Sequence, residues 1–165
     1  MNRGPSALLA PAGEAYQAAK LRWATLADCE RLRTLFATAR PDEPEGDDSM
    51  PEWLEHGGAL LLEDQQGRAL CAVRWREASG RGWQLDRIAT VPDSHGLGFG
   101  RWLMTKVEAL AIRYNVPSLT VSLMDGDDVG YYRRLGYDVV DDGSVAPVVR
   151  KRVGGTWQMQ EGWAR

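Results

Sequence analysis

The sequence predicts an α+β protein built on a mixed, mostly antiparallel central sheet of six to seven strands flanked by about four helices. Three patterns carry this expectation. Apolar runs of strand length follow one another across residues 59–91, separated by short turn-forming stretches. A long stretch of helical period then follows, with Leu103, Val107, Leu110, Ala111 and Tyr114 on one stripe. Beyond it, strand and helix patterns alternate as far as residue 153. Consecutive antiparallel strands followed by strand, loop, helix, strand and helix give a sheet of mixed sense.

Each element has a local reason. Residues 1–16 are rich in Ala, Gly and Pro without a sustained period and are expected to form a flexible tail, leaving residues 17–165 as one domain. A strand near residues 18–23 leads to Thr25-x-x-Asp28, which resembles a capping box with Asp in place of Glu or Gln. Leu32, Leu35, Phe36 and Ala39 continue at helical spacing. Residues 41–48 form an acidic loop, after which Ser49 can cap a short helix that stops near Gly57 and Gly58. Strands are expected at 59–63, 69–76 and 83–91, with turns at 64–67 and 79–82. The helix carrying Leu103 ends at Asn115 and Pro117. Leu119, Val121 and Leu123 alternate with polar residues, as a strand would over 118–124. Asp127 and Asp128 open a further helix, where negative charge suits the helix dipole, and Gly136 closes it. Residues 137–140 and 147–153 read as two last strands.

Composition narrows the function. The chain carries a net charge of −3, whereas nucleic-acid binding usually shows as a basic surplus. Its one dense basic run, Arg150-Lys151-Arg152, is expected to be a solvated strand end. Cys29 and Cys71 lie in no metal-like or redox-like spacing, and His56 and His95 are too isolated for zinc, so reduced packing thiols and no metal are expected. Pro11 and Gly13 cut short the apolar stretch Ala7-Leu8-Leu9-Ala10, and no window approaches a membrane span. A cytoplasmic protein without nucleic-acid or membrane partners is the expectation.

The chemistry concentrates at His95-Gly96-Leu97-Gly98-Phe99-Gly100, between a strand and a helix. Alternate glycines let backbone N–H groups approach an anion without Cβ atoms in the way, and a helix start adds the positive end of its dipole. Two other phosphate-binding patterns fail on spacing. A dinucleotide fingerprint counted from Gly96 needs Gly or Ala where Arg101 stands, and a Walker loop needs Gly-Lys-Ser/Thr where Gly100-Arg101-Trp102 stand.

On these residues the chain resembles the GNAT superfamily of acyl-CoA N-acyltransferases, whose characteristic segment is a strand, then Arg/Gln-x-x-Gly-x-Gly/Ala, then a helix. A second segment, Tyr132-Arg133-Arg134-Leu135-Gly136-Tyr137, resembles the family's tyrosine-x-x-leucine-glycine-aromatic ending. The order of elements agrees from about residue 18 to residue 153. Three positions depart from the pattern. His95 stands where Arg or Gln is usual, Gln84 where many members have Glu, and Asp125 where many have a CoA-contacting Asn.

The resemblance implies a sheet splayed between its fourth and fifth strands and acetyl-CoA as co-substrate. It places the diphosphate on His95, Gly96, Leu97, Gly98, Phe99, Gly100 and Arg101, and pantetheine along Ile88, Ala89 and Thr90, with Asp125 as a further contact. A backbone N–H of that strand would stabilise the oxyanion. Tyr132 matches the tyrosine that protonates the departing thiolate, and a phenol with a pKa of about 10 remains a donor at neutral pH. The attacking amine must first lose a proton. Gln84 cannot accept it usefully, whereas Asp86, two residues along the same strand face, can accept it directly or through water. Bulk water is the alternative base. Arg101, in the first helical turn, opposes the dipole unless an anion is near. For Arg133 and Arg134 a solvated helix end is expected.

The resemblance also places the acceptor groove beside residues 41–48. The acids Asp42, Glu43, Glu45, Asp47 and Asp48, with Asp127 and Asp128, would favour a cationic amine, either a small molecule or a peptide. Trp53, Trp75, Trp83 and Trp102 are candidates for a pocket or for core packing, and Trp157 and Trp163 for a homodimer contact. The function expected is therefore N-acetyl transfer to a primary amine by direct attack in a ternary complex. The alternative is a non-catalytic acyl-CoA-binding module of the same fold.

Overall fold

The computed structural model describes residues 19–41, 50–124, 126–140, 143 and 145–154. The expected tail, most of the acidic loop, Asp125, Trp157 and Trp163 lie outside the described residues. Among the described residues the sheet has seven strands, in the order β1-β2-β3-β4-β5-β7-β6. They are β1 (Lys20–Trp23), β2 (Gly57–Glu63), β3 (Ala69–Glu77), β4 (Trp83–Thr90), β5 (Ser118–Ser122), β6 (Asp138–Val140) and β7 (Val148–Arg152). Among the described residues four α-helices accompany them: α1 (Cys29–Ala39), α2 (Met50–His56), α3 (Phe99–Arg113) and α4 (Val129–Arg134). β1–β2, β2–β3, β5–β7 and β6–β7 pair antiparallel, and β4–β5 pair parallel. This is the mixed, mostly antiparallel architecture read from the sequence. Among the described residues no helix is long and apolar enough to cross a membrane.

The described residues fall into two compact units. One holds those up to Arg76 together with Arg87–Val107, and the other holds Glu77–Asp86 and those from Glu108 onward.

In the first unit, β2 is buried from Gly58 to Glu63, as an apolar run with both faces covered should be. Its turn into β3 is fixed by Asp64, whose Oδ1 accepts the N–H groups of Gln66 and Arg68, each at 2.9 Å. Leu32, Leu35 and Phe36 of α1 are buried, which gives its apolar stripe a core to face. Thr25 and Asp28 meet as the capping signature requires, with Asp28 Oδ2 accepting the Thr25 N–H at 2.8 Å.

That carboxylate has a second task that spacing did not reveal. Arg22 of β1 donates to both Asp28 oxygens at 2.8 and 2.7 Å and to both Glu63 oxygens at 3.1 and 2.8 Å. Arg31 of α1 also reaches Glu63, at 2.7 Å. These hydrogen bonds outweigh desolvation and hold both carboxyls below their ordinary range, while Arg22 is raised above its own.

In the second unit, β5 buries Leu119 and Val121 and leaves Thr120 and Ser122 half-buried, the alternation expected. It ends at Ser122 rather than at Met124, because Met124 N instead donates to Asp127 Oδ2 at 2.8 Å in the turn before α4. Asp128 caps α4 by accepting the Gly130 N–H at 2.7 Å. The basic run of β7 departs from a plain solvated end. Lys151 Nζ donates to Glu108 Oε2 at 2.9 Å and to the Leu135 carbonyl at 2.7 Å.

Candidate active site

The first unit carries the glycine loop. β4 ends at Thr90, one residue earlier than expected, because Pro92, Asp93 and Ser94 form a single 3-10 turn. Gly96 and Gly98 both take positive φ, 78° and 83°, a conformation that disfavours any side chain. A Cβ built on Gly96 meets nothing within 4 Å, so the loop there faces open space.

Trp102 N donates to the Gly98 carbonyl at 3.0 Å, the first bond of α3's ladder. The N–H groups of Phe99, Gly100 and Arg101 therefore precede the ladder, at the positive end of a 15-residue helix. Leu97, Gly98 and Arg101 are exposed, while Phe99 turns inward and pins the helix start. The residues present fit an anion of diphosphate type.

His95 holds the loop in a way the sequence did not disclose. Its Nε2 lies 2.8 Å from the Thr90 carbonyl oxygen. A carbonyl only accepts, so Nε2 donates, and the other nitrogen of a neutral ring is left as an acceptor. The single donor that a neutral His95 would offer a phosphate is thus engaged within the chain. Thr90 is also held by its hydroxyl, 3.1 Å from Cys71 Sγ. Both cysteines are buried free thiols, as expected, and burial pushes Cys71 up to about 12.

The second unit carries Gln84, Asp86 and Tyr132. The parallel register joins Trp83 to Leu119, Gln84 to Thr120 and Leu85 to Val121, while β4 continues to Thr90. Gln84 Nε2 donates to Ser122 Oγ at 3.3 Å, a neutral contact with no proton to accept. Asp86 is half-buried. Tyr132 is 5% exposed, with its ring edge-on to Tyr137 at 5.9 Å and to the half-buried Tyr131 at 5.2 Å.

Gly136, at φ 89°, ends α4, and Lys151 packs across it. Tyr137 is buried beside Glu108, which together raise its phenol above the ordinary range. Arg133 and Arg134 are exposed, as a helix end should be, and Arg134 pairs with Asp128 at 3.3 Å. Of the four tryptophans considered for a pocket, Trp75, Trp83 and Trp102 are core residues, and Trp53 is half-buried.

A family model for the acetyltransferase (GNAT) family matches residues 21–137. The chain belongs to this family. Acyl-CoA-dependent acetyl transfer is accordingly its class of chemistry. No curated protein sequence matches it.

Solved structures share the GNAT fold at low identity. A GNAT-family acetyltransferase from Staphylococcus aureus superposes with a TM-score of 0.74 at 12% identity, covering 82% of this chain and 99% of that one. The ribosomal-protein-S18-alanine N-acetyltransferase of Escherichia coli gives 0.69 at 14% identity, covering 82% and 94%. The PaiA N-acetyltransferase of Thermoplasma acidophilum, solved in complex with coenzyme A, gives 0.64 at 12%, covering 81% and 98%. At these identities the likeness is one of fold.

Proposed function

We propose that this GNAT-family chain moves an acetyl group from acetyl-CoA to a primary amine, by direct attack of the amine in a ternary complex. The observation that carries this is the loop before α3, with Gly96 and Gly98 at positive φ and three amides ahead of the helical ladder. Those amides and the helix dipole would hold the diphosphate, with Arg101 adding charge. Backbone groups of Ile88, Ala89 and Thr90 would align the pantetheine arm, and one N–H among them would stabilise the oxyanion. Asp86 would accept the proton of the incoming amine, directly or through water. As the new N–C bond forms and the C–S bond breaks, the Tyr132 hydroxyl would return a proton to the thiolate.

One observation favours a second reading, a non-catalytic acyl-CoA-binding module. Gln84 holds a neutral contact to Ser122 at the position where many relatives place a carboxylate. Thiol release from acetyl-CoA, followed across a panel of amines, separates the two. Turnover above background with any amine supports the transferase. Tight acetyl-CoA binding with no transfer to any of them supports the binding module.

A further inference from the structure

α4 spans only the six residues Val129–Arg134, fewer than the roughly 12 that a helix needs to stand by itself in water. Its direction must therefore be fixed by contacts outside it. The Tyr132 carbonyl accepts the N–H groups of both Leu135 and Tyr137 at 3.0 Å, so the turn that ends the helix is bonded to this residue. The Tyr132 ring lies edge-on to that of Tyr137 at 5.9 Å. Backbone and ring of Tyr132 both follow the placement of residues 135–137.

One ion pair reaches all three of those residues. Lys151 Nζ, from β7, donates to the Leu135 carbonyl at 2.7 Å and lies 5.8 Å from the centre of the Tyr137 ring. Its stem crosses Gly136 so closely that a Cβ there would meet Lys151 Cε at 3.3 Å. Its charge partner is Glu108 of α3, whose Oε2 accepts from Nζ at 2.9 Å and whose Oε1 accepts the Tyr137 hydroxyl at 3.4 Å.

The Lys151 and Glu108 side chains are 28% and 18% exposed, so both charges are largely withdrawn from water. Desolvation offsets much of the attraction in such a pair, which makes it a weak source of net stability. An apolar side chain at position 151 could cover Gly136, but it could satisfy neither the Leu135 carbonyl nor the Glu108 carboxylate. We infer that Lys151 and Glu108 are positioning residues for Tyr132, and that through residues 135–137 they aim its phenol at the departing thiolate. This rests on the acetyl-transfer reading above, with Tyr132 as the proton donor.

The test is a double-mutant cycle on the full chain. Spermidine, tyramine, kanamycin and alanyl-alanine are assayed with acetyl-CoA, and the fastest acceptor is carried forward. The variant combines Glu108→Gln with Lys151→Met, which removes both charges and leaves neither unpaired. Its kcat should fall about tenfold, the scale of a misplaced catalytic group, with the KM for acetyl-CoA within about twofold of the parent. Added to Tyr132→Phe, the same changes should lower kcat by less than about twofold, because the group they position is gone. A loss of stability alone would slow both backgrounds alike. If the combined variant does not fold, Glu108→Gln alone takes its place in the cycle, with the same disappearance expected in Tyr132→Phe. A parent-like kcat, an equal fall in both backgrounds, or failure of both variants to fold overturns the inference and leaves the transferase reading standing. If Tyr132→Phe itself turns over like the parent, or no amine is acetylated, the reading beneath has failed and takes this inference with it.

Discussion

The Nε2 of His95 donates across 2.8 Å to the carbonyl oxygen of Thr90, tying the last residue of β4 to the first residue of the glycine loop. His95 thereby acts as a positioning residue for the loop's backbone. Removing it in His95→Ala should weaken coenzyme A binding about fivefold, the worth of one hydrogen bond of about 1 kcal/mol. Titration at two salt concentrations checks the cause, since loss of a positioning bond leaves the salt dependence as it was. His95→Arg should instead bind more tightly at low salt, because a fixed positive charge is added beside the loop. An unchanged affinity in His95→Ala would remove the contact from the account.

Tyr132 presents a phenol at a buried position between two aromatic neighbours. Tyr132→Phe keeps the ring packing and deletes only the hydroxyl. Turnover should fall by about two orders of magnitude, the usual scale for loss of a general acid, while acetyl-CoA affinity stays put. Tyr131→Phe is the control and should stay within threefold of the parent rate. Comparable rates in Tyr132→Phe and the parent would exclude the tyrosine as proton donor.

Asp86 and Gln84 divide the base question between them. Gln84→Ala removes an amide contact to Ser122 and should change turnover less than threefold. Asp86→Asn should lower turnover by at least tenfold, with acetyl-CoA affinity unaltered. If Asp86→Asn turns over at the parent rate, water or the free amine equilibrium supplies the base.

The Arg22, Asp28, Arg31 and Glu63 cluster makes stability depend on pH with a definite sign. Both carboxyls are held below their ordinary range in the folded state, chiefly by Arg22. Their stabilisation is complete above the unfolded carboxylate range, near pH 4, and fades as pH falls through and below it. Asp28→Asn, which leaves Arg22 facing a neutral amide, should cost about 3 kcal/mol at pH 7. Urea unfolding at pH 7 and pH 3 tests both points. The parent should lose more stability between the two than Glu63→Gln does, and equal losses would sever the cluster from the pH response.

Much of this protein is local, and the sequence alone determined that part. The order of strands and helices follows from hydrophobic period. The capping pair Thr25 and Asp28, the helix end at Gly136 and the glycine loop are each set by neighbours within a few residues. So is the placement of Gln84 and Asp86 on one strand face, since alternation needs no tertiary contact.

Tertiary structure decided what depends on partners far along the chain. Arg22 and Glu63 are 41 residues apart, and no spacing rule joins them. The polar fate of Lys151 rests on Glu108, 43 residues away. Arg74 and Arg76 alternate along β3, and only the fold brought the rings of Phe36 and Trp53, from two helices, against them. At His95 the sequence offered a ring with one donor and an anion-shaped loop beside it. Only the fold brought the Thr90 carbonyl within reach, and a carbonyl that can only accept determines which nitrogen carries the proton.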